Sequence, residues 1–247
     1  MDDARVVVLA DGQGWATSVA GCVTDVLSRA LSERSRARLV LAGGSTPIAL
    51  YEQLSKLHAA DVDWTRVDFY QGDERAVDPE DPASNFASVR DCLLKPLGIT
   101  GRQVRRIRGE LPVVEAAAEY DRVIATELES GSWDLTLLGV GDDGHTASLF
   151  PGEMRADSRS WAIATRAPVA PHDRVSMSLR ALNRSRNVFF LVCGPSKAVV
   201  AQRVLQGDSR LPAGQIEPQG SPPRWFLDCS AAAELRPSGD VQSVGTE

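Results

Sequence analysis

The sequence predicts an α/β fold: a doubly wound, mostly parallel sheet flanked by helices. Three observations carry that expectation. Apolar runs of strand length alternate with segments of helical length along most of the chain. Several of the strand-length runs are apolar at consecutive positions, as strands covered on both faces are. The runs end in polar, glycine-bearing loops, where the strands of such a sheet hand over to helices.

The elements follow in order. Residues 5–10, RVVVLA, read as a strand. Residues 13–34 read as a helix, with Val19, Cys22, Val23, Val26, Leu27 and Leu31 at helical spacing. ARLVLAGG (37–44) is a second strand ending in glycines, and Pro47 sits where the first turn of a helix should be. VDFYQGDER (67–75) is a third strand running into a polar loop rich in Asp and Pro. A helix from Asn85 to Leu94 ends near Pro96, and residues 113–130 form another helical segment. WDLTLLGVG (133–141) is the most strand-like run of the chain. WAIATRA, RVSMSLRAL and NVFFLVCG supply later strands, and PSKAVVAQRVL (195–205) a late helix. Residues 1–230 are expected to form one α/β domain and 231–247, polar and Gly/Ser-bearing, a flexible C-terminal tail.

Composition removes several function classes. The chain of 247 residues has a formal net charge of −6 and is 43% hydrophobic, enough for a packed core. An acidic balance argues against a nucleic-acid binder, which needs a basic face. No stretch reaches the roughly eighteen uninterrupted apolar residues of a membrane span. The first residues, MDDARVVVLADGQ, are unlike a signal peptide, so the expected location is cytoplasmic. Cys22, Cys92, Cys193 and Cys229 form no CxxC pair, and the only histidines are His58, His145 and His172. That inventory offers no zinc finger and no metal site is expected. The cysteines are expected to pack as small hydrophobes. Of 27 basic residues, only Lys56, Lys95 and Lys197 are lysines.

Three loops, 43–47, 71–86 and 139–151, follow predicted strands and should meet at one rim of the sheet. In the first, Gly43-Gly44-Ser45-Thr46-Pro47 runs from a strand into a helix. Glycines let backbone approach an anion, helix-start amides point at it, and two hydroxyls add donors. It fits neither the GxxxxGK[ST] pattern nor a GxSxG elbow. A tight turn capped by Ser45 explains it equally well. The second loop, Gly72-Asp73-Glu74-Arg75 and onward through Asp78, Asp81 and Asn85, reads either as a hold on a polyhydroxylated substrate or as a solvated charge run. By itself the solvated run is the better account.

The third loop, Gly139-Val140-Gly141-Asp142-Asp143-Gly144-His145, formally contains GxGxxG. Its late position, its two Asp residues and Pro151 oppose a dinucleotide site. What it offers is His145 at a strand's carboxyl end with Asp143 two residues before it. Histidine takes and returns a proton near neutral pH, and a carboxylate can fix its tautomer. The glycines and the rim position outweigh the alternative of a surface or capping histidine. Arg174 and Lys197, each at an element start, could pair with a phosphate or be plain surface charges.

Together, LAGGSTP (41–47), GDER (72–75) with SNF (84–86), GVGDDGHTASLFPG (139–152), RVSMS (174–178) and GPSKA (194–198) resemble the 6-phosphogluconolactonase family, within the wider glucosamine-6-phosphate isomerase/lactonase group. The resemblance spans residues from about 5 to 230 and implies a Rossmann-like sheet of the sugar-phosphate isomerase/lactonase type. It implies hydrolysis of 6-phospho-D-glucono-1,5-lactone to 6-phosphogluconate in the oxidative pentose phosphate pathway, without metal or organic cofactor. By carry-over, His145 is the general base and acid and Asp143 its partner. Gly43, Gly44, Ser45 and Thr46 match the phosphate loop, Arg174 and Lys197 the basic phosphate ligands, and Asp73 and Arg75 the sugar end. Isomerase/deaminases of the group carry Glu in the place of Phe150 and Tyr in the place of Arg75, so these two residues favour the lactonase. A non-catalytic sugar-phosphate sensor is the reading from another class, and the intact His145–Asp143 pair weighs against it. The expected partner is a small sugar-phosphate lactone, with no nucleic acid and no membrane, and the chain is expected to be a monomer or weak homodimer.

Overall fold

The computed structural model describes residues 5–10, 12–129, 131–152, 159–235 and 241–244. Eight strands form one all-parallel sheet in the order β11-β1-β10-β9-β6-β2-β3-β5. They are β1 (Val6–Leu9), β2 (Ala37–Leu41), β3 (Val67–Gln71), β5 (Val104–Arg105), β6 (Leu135–Gly139), β9 (Val188–Val192), β10 (Arg224–Asp228) and β11 (Val241–Val244). A second, antiparallel sheet has the order β4-β8-β7, built from β4 (Asp73–Arg75), β7 (Ala162–Arg166) and β8 (Asp173–Met177).

Alternation along each strand divides the core. Leu39 and Leu41 of β2, Phe69 of β3, Leu135 and Leu137 of β6, and Phe189 and Leu191 of β9 face one side. There they meet α1 (Gln13–Glu33), α2 (Thr46–Lys56) and α3 (Asn85–Val89), which continues through Leu94 as a π-helical turn. Val40, Tyr70, Leu138, Phe190 and Val192 face the other side, against α4 (Val113–Glu129), α5 (Leu179–Leu182), α6 (Ala198–Leu205) and the small sheet. Because neighbouring residues on one strand serve opposite cores, the strands read as unbroken apolar runs.

The structure corrects several expectations. GDER is not a loop: Asp73–Arg75 form β4, which pairs Asp73 with Ser176 and Arg75 with Arg174 on β8. The tail expected after residue 230 is not uniformly without structure, since Val241–Val244 pair in parallel with β1 and Ala231 is fully buried. Besides β11, the strands β5 and β10 lie outside the strands that the sequence pattern predicts. Among the cysteines only Cys22 is buried, and Cys229 is exposed. Among the described residues no helix is long and apolar enough to cross a membrane.

The topology positions the site. From β2 the chain winds outward through β3 to β5, then returns to place β6 beside β2 and winds the opposite way through β9 and β10. The winding reverses between β2 and β6, and in open parallel sheets the ligand crevice lies at the carboxyl ends of such a pair. The first and third loops leave these two strands.

Candidate active site

A cleft of roughly 660 Å³ opens at that reversal, lined by all three loops together with Arg174, Ser196 and Lys197. The loops read from the sequence as sharing one rim do so.

The loop after β6 folds back on itself. Gly141 N–H donates to the His145 carbonyl at 2.9 Å, and Thr146 Oγ1 to the Gly139 carbonyl at 2.9 Å. This hairpin brings His145 Nδ1 to 2.6 Å from Asp143 Oδ1, which also accepts the His145 backbone N–H at 3.0 Å. A carboxylate on Nδ1 selects the tautomer protonated there and leaves the Nε2 lone pair as the proton acceptor. The ring packs on Phe150, centroids 4.8 Å apart, and its side chain is 34% exposed. Gly141 is obligatory for this arrangement: a Cβ there would lie 2.0 Å from His145 Nδ1. Ala147, two residues after the histidine, takes a left-handed φ of 49°, strain that a non-glycine residue adopts only where its surroundings impose it.

The two carboxylates of β4 have separate tasks. Glu74, 2% exposed, turns away from the cleft and accepts five hydrogen bonds, from the amides of Arg75, Asn85 and Phe86, from Gln71 Nε2 and from Ser84 Oγ. Burial pushes its carboxyl above the usual range, and these donors oppose the rise. Asp73 lies in the cleft wall, accepting from Ser148 Oγ at 2.5 Å and Asn85 Nδ2 at 3.1 Å. The Asn85 amide lies over Gly43, where a Cβ would come within 2.1 Å of it, so the first loop needs its glycine for this close approach.

Arg75 and Arg174 stand directly opposite each other across the β4–β8 pair. Arg75 donates to the Ala83 carbonyl and Arg174 Nε to the Pro171 carbonyl at 2.7 Å. Burial, and then the Arg75 charge, lower the Arg174 pKa. Like charges opposed across strands destabilise the fold, so two guanidiniums facing a cleft, Arg174 buried and Arg75 half-buried, make a wall prepared for an anion.

Lys197 sits in a 3₁₀ turn (Pro195–Lys197) ahead of α6, 2.5 Å from Asp142 Oδ1, which also accepts from Ser196 Oγ at 3.2 Å. The ammonium holds the Asp142 carboxyl below its ordinary range. Ser45 makes no side-chain cap on α2, so the capping explanation of the first loop fails. Ser45 and Thr46 line the cleft, while in the first turn of α2 Pro47 carries no N–H and the Ile48 amide donates to the Ser45 carbonyl at 3.3 Å. Among the described residues no three His, Cys, Asp or Glu side chains converge as ligands of a metal ion.

The family model for glucosamine-6-phosphate isomerases/6-phosphogluconolactonase matches residues 10–225. The chain belongs to that family. Among its relatives, the 6-phosphogluconolactonase of Homo sapiens is 36% identical over 82% of this chain and 82% of its own. That of Synechocystis is 34% identical over 87% of this chain and 92% of its own. The crystal structure of 6-phosphogluconolactonase from Thermotoga maritima superposes with a TM-score of 0.81 at 30% identity, covering 92% of this chain and all of the other.

In this isomerase/lactonase chain every site residue expected from the sequence lines the one cleft. Within it Arg174 stands across from Arg75, and Lys197 reaches Asp142. Asn85, named in the second loop, and Ser148 both hold Asp73, a tie the sequence pattern does not predict. Their hydrogen-bonding side chains sit inside matched motifs, and nothing in the sequence joins Ser148 to a partner 75 residues away.

Proposed function

We propose that the chain hydrolyses 6-phospho-D-glucono-1,5-lactone to 6-phospho-D-gluconate, the lactone-opening step of the oxidative pentose phosphate pathway. The observation that carries this reading is the His145–Asp143 pair in a cleft that also presents a cationic wall. His145 Nε2 removes a proton from water as the water oxygen attacks C1. Asp143 stabilises the imidazolium, and Arg75 faces the developing oxyanion. His145 then returns the proton to the ring oxygen as the C1–O bond breaks. The first loop, with Arg174 and Lys197, holds the phosphate, and Asp73 and Arg75 line the sugar end. Water and these side chains suffice for the step as written. Phe150, packed on His145, occupies the place where the isomerising branch carries a Glu, which supports lactone opening over proton shuttling between sugar carbons.

The test is acid release from freshly generated 6-phosphogluconolactone above the spontaneous rate. We expect a clear excess in the wild type, and a fall in kcat of about 10²–10⁴-fold in His145→Ala with KM little changed. Arg174→Ala should raise KM instead. Absence of any excess, or ammonia release from glucosamine 6-phosphate, would overturn the reading.

A further inference from the structure

Arginine gathers at the pole opposite the cleft as well. The segments that precede β2, β3, β5, β6 and β9 enclose a groove of roughly 740 Å³ at the amino ends of the strands. Six arginines line it: Arg34, Arg36, Arg38, Arg102, Arg105 and Arg186. Four carboxylates answer them, three in the groove and Glu33 beside it, 3.0 Å from Arg34. Arg36 takes Asp68 through two bonds of 2.6 Å. Arg34 at 2.8 Å and Arg186 at 3.6 Å share Asp134. Arg38 at 3.5 Å and Arg105 at 3.4 Å share Glu127. The groove therefore carries surplus positive charge in a chain whose net charge is −6. Nε of Arg34 is buried without a hydrogen-bond partner.

Helix capping does not account for this surplus. Cations are favoured where helices end, and α1 and α4 both end near the groove. Arg66, however, already donates to the Leu31 and Arg34 carbonyls at the end of α1. Arg184 does the same for Leu128 and Gly131 at the end of α4. Neither of these two lines the groove.

The chemistry of the lining narrows the ligand. No aromatic ring is among the lining residues, so nothing offers a stacking surface to a nucleobase. Hydroxyls of Ser35, Thr65, Thr100 and Ser132 add donors or acceptors beside the guanidiniums. The interspersed carboxylates and the acidic remainder of the chain oppose a nucleic-acid backbone, which needs a continuous basic face. The volume is that of a small-molecule pocket. We propose that this groove is a second anion site, separate from the catalytic cleft, for a compact molecule carrying two or more phosphate groups.

Isothermal titration with sodium tripolyphosphate at low salt tests it. Saturable binding is expected in the wild type and in Arg174→Ala, whose change lies in the cleft. In Arg102→Glu/Arg105→Glu binding should weaken by at least about tenfold, the scale of losing well-placed charge pairs, and Arg102→Lys/Arg105→Lys should restore most of it. If the double variant does not fold, Arg102→Glu alone decides, because Arg102 is exposed and only its carbonyl is engaged, by Arg105. No saturable binding, or binding that survives the groove substitutions and disappears in Arg174→Ala, would overturn the proposal. The titration does not depend on lactone hydrolysis, so its failure and that of the proposed function are separable.

Discussion

A methyl group on Gly141 would press into the His145 ring, whereas Gly141 itself has no positive φ that requires glycine. Gly141→Ala should therefore displace the imidazole and little else. We expect kcat to fall toward that of His145→Ala while Tm stays within a few degrees of wild type; a variant with normal kcat would contradict the geometry. Asp142 supplies a test of the Lys197 pairing through pH. Its carboxyl is depressed by the Lys197 ammonium, so the stabilisation is present above the unfolded pKa and lost as pH falls through the folded value. The Tm difference between wild type and Asp142→Asn should be present at neutral pH and close as pH falls below about 4. It should be small, because Asp142 is 64% exposed and solvent screens the pair. A difference that persists unchanged in acid would show that Lys197 contributes nothing through this carboxylate.

At the scale of elements, Glu74 joins β4 to the start of α3. Its Oε1 accepts two amides and its Oε2 accepts Gln71, Ser84 and the Phe86 amide. A glutamine in either orientation turns its NH2 toward at least two donors. Glu74→Gln should cost about 2–4 kcal/mol in chemical denaturation and raise KM, since Arg75 and Asn85 hang on the same joint; an unchanged midpoint would refute this role. The joint also explains what the sequence concealed. GDER looked like a solvated charge run because nothing near it announces five buried donors. β10 was legible and went unread: Trp225, Phe226 and Leu227 form an apolar run just after Pro222-Pro223. β5 has only two residues, too few for a period-2 signal. The parallel strands were readable because both faces are covered, and His145 with Asp143 because glycines punctuate their loop. Asp73's partners were not, because they meet it only through the fold.

For the whole molecule, the winding reversal between β2 and β6 draws loops from distant parts of the chain to one cleft and leaves the amino ends of the same strands to form the arginine groove. The sheet's two margins complete the design. A parallel sheet with a bare margin offers a row of unpaired amides and carbonyls to any passing chain. Here one margin is β5, kept to two residues and ending in Arg105, and the other is β11, laid along β1. Without β11 the margin would be β1, whose Val6, Val7 and Leu9 are buried: stopping the chain after Leu235 should leave activity near wild type but make light scattering on mild heating rise earlier. The pairing also means that a purification tag attached after Glu247 follows β11 by about three residues, and one attached ahead of Met1 precedes β1 by about five.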